Sequence, residues 1–158
     1  MVGWPSVLLS GELGELAEDV RRIFQELGQG PGAHAGAAGD CVPPLDVLET
    51  DGAVQILMDL PGVPPSSVRV LLKGDVVLIA GEKWAEGARR EPGAFHLVER
   101  GSGRFARAVR ISGAFDGARL SAILSGGELR IILPKLGERR GKTFEVPVRS
   151  EPADPAAR

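Results

Sequence analysis

The stretch Ala122-Ile123-Leu124-Ser125-Gly126-Gly127-Glu128-Leu129-Arg130-Ile131-Ile132-Leu133-Pro134-Lys135 constrains the fold more than any other part of the chain. Leu129, Ile131 and Leu133 alternate with Glu128, Arg130 and Ile132, the period of two expected of a half-buried strand. Pro134 then stops pairing, because it has no N–H to donate. Upstream, Leu120, Ala122 and Leu124 share one face, with Ser121 and Ile123 on the other. Two strands therefore meet across the Gly126-Gly127 turn as a hairpin.

More strands precede it. From Asp46 onward, Val54, Ile56 and Met58 alternate with Gln55, Leu57 and Asp59, and Val68, Val70 and Leu72 alternate with Arg69, Leu71 and Lys73. Val76 to Ala80 is a continuous apolar run, joined to the preceding strand by a tight Gly74-Asp75 turn. Short strands at this spacing, with Pro and Gly between them, predict an all-β, immunoglobulin-like β-sandwich. Residues 82–95 are charged and Gly-rich, with Trp84 near their start, and form too long a gap for a simple hairpin. On the strand from Arg104 to Ile111, Phe105, Arg107, Val109 and Ile111 share a face, so a cation sits among apolar side chains. A buried Arg needs a partner, and Glu99 and the acids of the preceding loop are candidates; at a strand edge it would instead reach water along its stem.

The N-terminal part differs. Between Ser10 and Leu27 the residues Leu13, Leu16, Val20, Ile23, Phe24 and Leu27 recur at helical spacing amid Glu12, Glu15, Glu18, Asp19 and Glu26. This predicts an amphipathic helix capped by Ser10 and closed by Gly28. Its mostly acidic polar face argues against a membrane surface. The apolar stripe suits either a protein partner or the chain's own core, and the sequence does not choose. Residues 28–44, rich in Gly, Ala and Pro, read as a flexible linker. The expected organisation is thus an arm over 1–44, a sandwich over 45–135 and a flexible extension over 136–158.

Four ordered elements resemble the α-crystallin domain of bacterial-type small heat-shock proteins. The hairpin supplies Ala122, Gly127, Leu129, Ile131, Pro134 and Lys135, with Gly126 where the family has Asn. Asp59-Leu60-Pro61-Gly62-Val63 matches the start of the domain, and Glu99-Arg100-Gly101-Ser102-Gly103-Arg104-Phe105 with Arg107 matches its middle. Val146-Pro147-Val148 stands where the family has two aliphatics separated by one residue. At Ile111-Ser112-Gly113 the chain departs from the family's aliphatic-Pro. The resemblance implies a homodimer exchanging a strand through the 82–95 loop, and larger homo-oligomers. The oligomerisation residues it implies are Arg107, Trp84, Val146, Pro147 and Val148. It also implies an ATP-independent chaperone that holds unfolding proteins, for which Leu13, Leu16, Val20, Ile23, Phe24 and Leu27 are candidate client contacts. The alternative is a co-chaperone of the CS-domain kind, binding one folded partner; such domains lack the C-terminal aliphatic pair.

Other classes find little support. A net charge of −2 with scattered basic residues favours neither nucleic acid nor acidic membranes. No apolar run approaches the ~20 residues of a membrane span, and no signal-peptide pattern opens the chain, so a cytoplasmic address is expected. The single cysteine, Cys41, fits a reducing compartment and reads as an incidental thiol in the arm. Gly101 to Ala106 fits a dinucleotide fingerprint in letters only, because a β-patterned run follows, and Gly137 to Thr143 is one residue short of a phosphate loop. With only His34 and His96, and no nucleophile elbow, no catalytic, cofactor or metal site is expected.

Overall fold

The computed structural model describes residues 10–29, 41–84 and 95–136, with side chains from residue 14 onward. In chain order they form the helix α1 (Ser10–Gly28) and strands β1 (Leu45–Glu49), β2 (Ala53–Asp59), β3 (Val68–Lys73), β4 (Val76–Lys83), β5 (Gly103–Arg110), β6 (Ser121–Ser125) and β7 (Glu128–Pro134). The strands make a four-stranded sheet in the order β1-β2-β7-β6 and a three-stranded sheet in the order β3-β4-β5. All pairings are antiparallel, so the structure is the sandwich that the alternation predicts.

Register puts the apolar faces together. Val54 pairs with Leu133, Ile56 with Ile131 and Met58 with Leu129, and all six side chains are buried against Val77, Ile79, Phe105, Val109 and Ile111 of the other sheet. The β6–β7 hairpin turns at Gly126 and Gly127, whose φ of 59° and 82° suit glycine in both positions. The Leu60 N–H donates to the Gly127 carbonyl at 2.7 Å, and Leu60 is fully buried. Two sequence motifs far apart in the chain are therefore one structural unit.

The apolar run in β4 has a reason that alternation alone does not show. Val77 and Ile79 face the sandwich core, while Val76, Leu78 and Ala80 face outward and form a second cluster with Leu16 and Ile23 of α1. Val20, Phe24, Leu27 and Leu71 pack around that cluster. A strand buried on both faces loses its polar alternation. Here the helix makes a third layer on the outside of the β3-β4-β5 sheet.

Some boundaries differ from expectation. Glu82 and Lys83, placed in the loop from sequence, continue β4 and pair with Arg104 and Gly103. The linker read over 28–44 is shorter at its C-terminal end, because residues 41–44 are tied to the sandwich. Cys41 is a core residue rather than a thiol in a flexible arm, and the Pro44 carbonyl accepts a hydrogen bond from the Asp59 N–H at 3.1 Å. β1 carries too few buried positions to stand out as a strand in the sequence. β5 ends without a proline: the Ile111 N–H turns to the Asp75 carbonyl at 2.7 Å.

Candidate functional site

Three surfaces and one polar cluster are candidates for function. The first lies where the edges of the two sheets approach each other. β3 and β6 are edge strands of their sheets, and Gly117, just before β6, sits so close to β3 that an added Cβ would come within 2.9 Å of Leu72 Cδ2. Val70, Leu72, Leu120 and Leu124 line this region, packed on the core yet partly exposed. Unpaired strand edges beside apolar side chains are ready to receive an extended segment.

The second surface is β1 together with residues 95–100. β1 is the other edge of the four-stranded sheet, with Val47 and Leu48 exposed. The run leading into β5 holds Phe95, Leu97 and Val98 at 61%, 74% and 65% exposure. Single exposed apolar residues are ordinary, but three within four positions are not.

The third surface is α1 on the outer sheet face. The predicted stripe is not open to solvent: Leu16 and Ile23 are buried, and Val20, Phe24 and Leu27 are half-buried. Contacts from cationic side chains hold the helix at both ends. Lys73 at the end of β3 donates to Glu15 at 3.0 Å and to Asp19 at 3.1 Å. These bonds, that to Glu15 first, hold the Lys73 ammonium above its usual 10.5. Because the folded value lies above the unfolded one, the Lys73 ammonium's contribution to stability is present below its ordinary 10.5 and is lost on the alkaline side as pH rises through the higher folded value. At the other end, the Arg104 guanidinium lies 5.1 Å from the centre of the Phe24 ring.

Arg104 also anchors the polar cluster. Glu82, only 5% exposed, accepts from Arg104 Nε at 2.9 Å through one oxygen and from Trp84 Nε1 at 3.3 Å through the other. A buried carboxylate is tolerated when both oxygens are engaged. Trp84, expected at the start of an exchanged loop, is thus partly buried and bonded at the end of β4. Arg107 is half-buried opposite Ile79 on the inward-facing side of β5, and its Nη1 donates to the Pro43 carbonyl at 2.7 Å. Sequence reasoning proposed carboxylates; a backbone carbonyl has no signature in the sequence, and only the position of the Pro residues beside the sandwich reveals it. Val146, Pro147 and Val148, the side chain of Leu13, and loop residues 85–94 lie outside the described residues.

Among the described residues no cluster of His, Cys, Asp and Glu is built to hold a metal ion, and no helix is long and apolar enough to cross a membrane.

Comparison with known proteins bears on the whole sandwich. Residues 46–149 match the profile of the Hsp20/alpha crystallin family. The chain is 37% identical over 105 residues to the spore protein SP21 of Stigmatella aurantiaca, a match covering 66% of this chain and 62% of that protein. It is 34% identical over 119 residues to an 18.9 kDa heat shock protein of Oryza sativa, covering 75% of this chain and 67% of the relative. Among solved structures, heat shock protein 16.0 of Schizosaccharomyces pombe superposes with a TM-score of 0.58 at 29% identity, over 69% of this chain and 99% of that one. HspA of Xanthomonas axonopodis superposes with a TM-score of 0.55 at 30% identity, over 60% of this chain and 94% of its own.

Proposed function

The chain belongs to the Hsp20/alpha crystallin family, and from that premise we propose that it is an ATP-independent holdase, a non-enzymatic chaperone of the cytoplasm. It binds unfolding proteins through apolar surface and so keeps them from aggregating. Binding alone suffices, since a ligand that prefers the unfolded chain withdraws it from aggregation by mass action. The observation that carries this reading is the apolar lining between β3 and β6, where Val70, Leu72, Leu120 and Leu124 pack on the core yet stay partly exposed.

The same edges support assembly. In this reading the exposed run around Phe95 and Leu97 adds as a strand to the free edge of β1 in a second subunit, giving the dimer. The Val146-Pro147-Val148 segment lies in the β3–β6 groove of a neighbour and joins dimers into larger homo-oligomers. The α1 stripe, Leu13 to Leu27, contributes client contacts when the helix lifts. The test is aggregation of a heat-labile client followed by light scattering in buffer without ATP. Suppression at near-stoichiometric chain is expected; undiminished aggregation would sink the reading.

A further inference from the structure

We propose that the outer face of the β3-β4-β5 sheet is a receiving surface for amphipathic helices with an acidic flank, that α1 is its resident ligand, and that such helices from unfolding proteins compete with α1 for it. The floor of this surface is apolar: Leu71 of β3 with Val76, Leu78 and Ala80 of β4. Ala106 and Ala108 of β5, pairing with Ala80 and Leu78, keep it flat on one side. Its rim is cationic. By strand phase the outward positions include Arg69 and Lys73 on β3 and Arg104 and Arg110 on β5; Arg104 is paired with Glu82 and Arg110 with Asp75, so the charge offered to a helix comes chiefly from the β3 side, at Lys73.

The resident helix matches both features. Leu16, Val20, Ile23, Phe24 and Leu27 meet the floor, while Glu15 and Asp19 reach Lys73. The fit therefore depends on a stripe and a charge pattern rather than on a unique sequence. Among the helix's described side chains Leu16 and Ile23 are the buried apolar ones, and its ionic partner Lys73 is exposed, so the occupant is held by modest contacts. A helix of 19 residues is near the limit of stability on its own, so α1 also loses order when it leaves. Partly unfolded proteins keep helices whose apolar stripe has lost its core, which is the chemistry this surface takes. The proposal rests on the chaperone reading for the source of the competing helix, but not for the surface itself.

The test uses the full chain and a fluorescein-labelled peptide copying residues 10–28, followed by anisotropy. In the wild-type chain α1 competes at the millimolar effective concentration of a short tether, so Leu16→Ser with Ile23→Ser should bind the peptide at least ~tenfold more tightly than wild type. A peptide carrying Glu15→Lys and Asp19→Lys should lose most of that binding and regain it on a chain with Lys73→Glu. The Lys73→Glu chain alters only an exposed side chain and so keeps the test open if the double serine variant misfolds. An unrelated peptide retaining only the apolar spacing and the two acids should bind like the native one. Equal binding to wild type and variant, or binding of the native peptide alone, would overturn the proposal; the latter would mark a site for exchange between copies. A chain that passes these tests but fails to suppress client aggregation would keep its helix surface and lose the chaperone reading.

Discussion

A Cβ at Gly81 would stand 2.4 Å from the Ser67 carbonyl oxygen and 2.7 Å from the Phe105 ring, which lies across it in the β4–β5 pair. Backbone cannot yield there as a flexible side chain can. Gly81→Ala should therefore cost about 1–3 kcal/mol by overpacking and lower the melting temperature by several degrees, since about 1 kcal/mol shifts a domain of this size by ~4–8 °C. An unchanged melting curve would mean that β3 and β4 move apart freely. Arg107 acts differently. Its hydrogen bond to the Pro43 carbonyl pins the segment entering β1 to β5, and a bond from a charged group contributes about 1.5–3 kcal/mol. Arg107→Ala should loosen that segment, seen as faster amide exchange at Cys41, Val42, Leu45 and Asp46, and through the β1 edge broaden the distribution of assembly sizes. Identical exchange and identical size profiles would show that the guanidinium is merely solvated.

At the scale of elements, the separation of two apolar clusters matters most. The sandwich core and the α1–β4 cluster share no residue, so the helix can leave without opening the core. Burial of Leu16 and Ile23 contributes about 1.5–3 kcal/mol each, enough to seat the helix and little enough to let it go. Deleting residues 1–40, which stops just before the core residue Cys41, should leave the sandwich folded by circular dichroism. It should also divide two roles. Client contacts made by the stripe itself are lost, so protection of large clients falls, while binding of the 10–28 peptide and of client helices to the vacated sheet face rises. Loss of the folded signal would show that the third layer is needed for the other two. The loop between β4 and β5 is a second element with its own test: replacing residues 85–98 by a short Gly-Ser turn keeps Glu82 and Trp84 in place and removes Phe95, Leu97 and Val98. Sedimentation at micromolar concentration should then report monomers, and persistent dimers would move the interface elsewhere.

At the scale of the whole molecule, the proposed assembly through Val146-Pro147-Val148 depends on many weak contacts acting together. The 12-residue step from Pro134 to Val146 spans at most ~40 Å, enough to reach a neighbouring subunit. Fully burying each valine contributes ~1.5–3 kcal/mol, while ordering the tail costs ~1–2 kcal/mol per residue of backbone fixed, so in the proposed assembly one tail is expected to bind weakly and several together to bind well. Pro147 reduces that cost by restricting the backbone beforehand. Val146→Gly with Val148→Gly should reduce the oligomer to dimers with the far-UV circular dichroism intact. Light scattering that still reports the full oligomer mass would remove this segment from the assembly.

The sequence by itself determined the strands whose side chains alternate, the Gly126-Gly127 and Gly74-Asp75 turns, and the helix over residues 10–27, because these follow from local periodicity and from the backbone freedom of glycine. It also carried the family, whose motifs are local strings. Only the tertiary structure decided what covers what. The stripe of α1 and the unbroken apolar run of β4 are each ambiguous alone, and the run was the available signal that this strand is buried on both faces. The pairing of Leu60 with Gly127, of Arg107 with the Pro43 carbonyl, and of Glu82 with Arg104 joins residues distant in sequence or acceptors on the backbone. No spacing rule records such contacts, because a residue's partner across a sandwich is set by sheet order and register rather than by its neighbours along the chain.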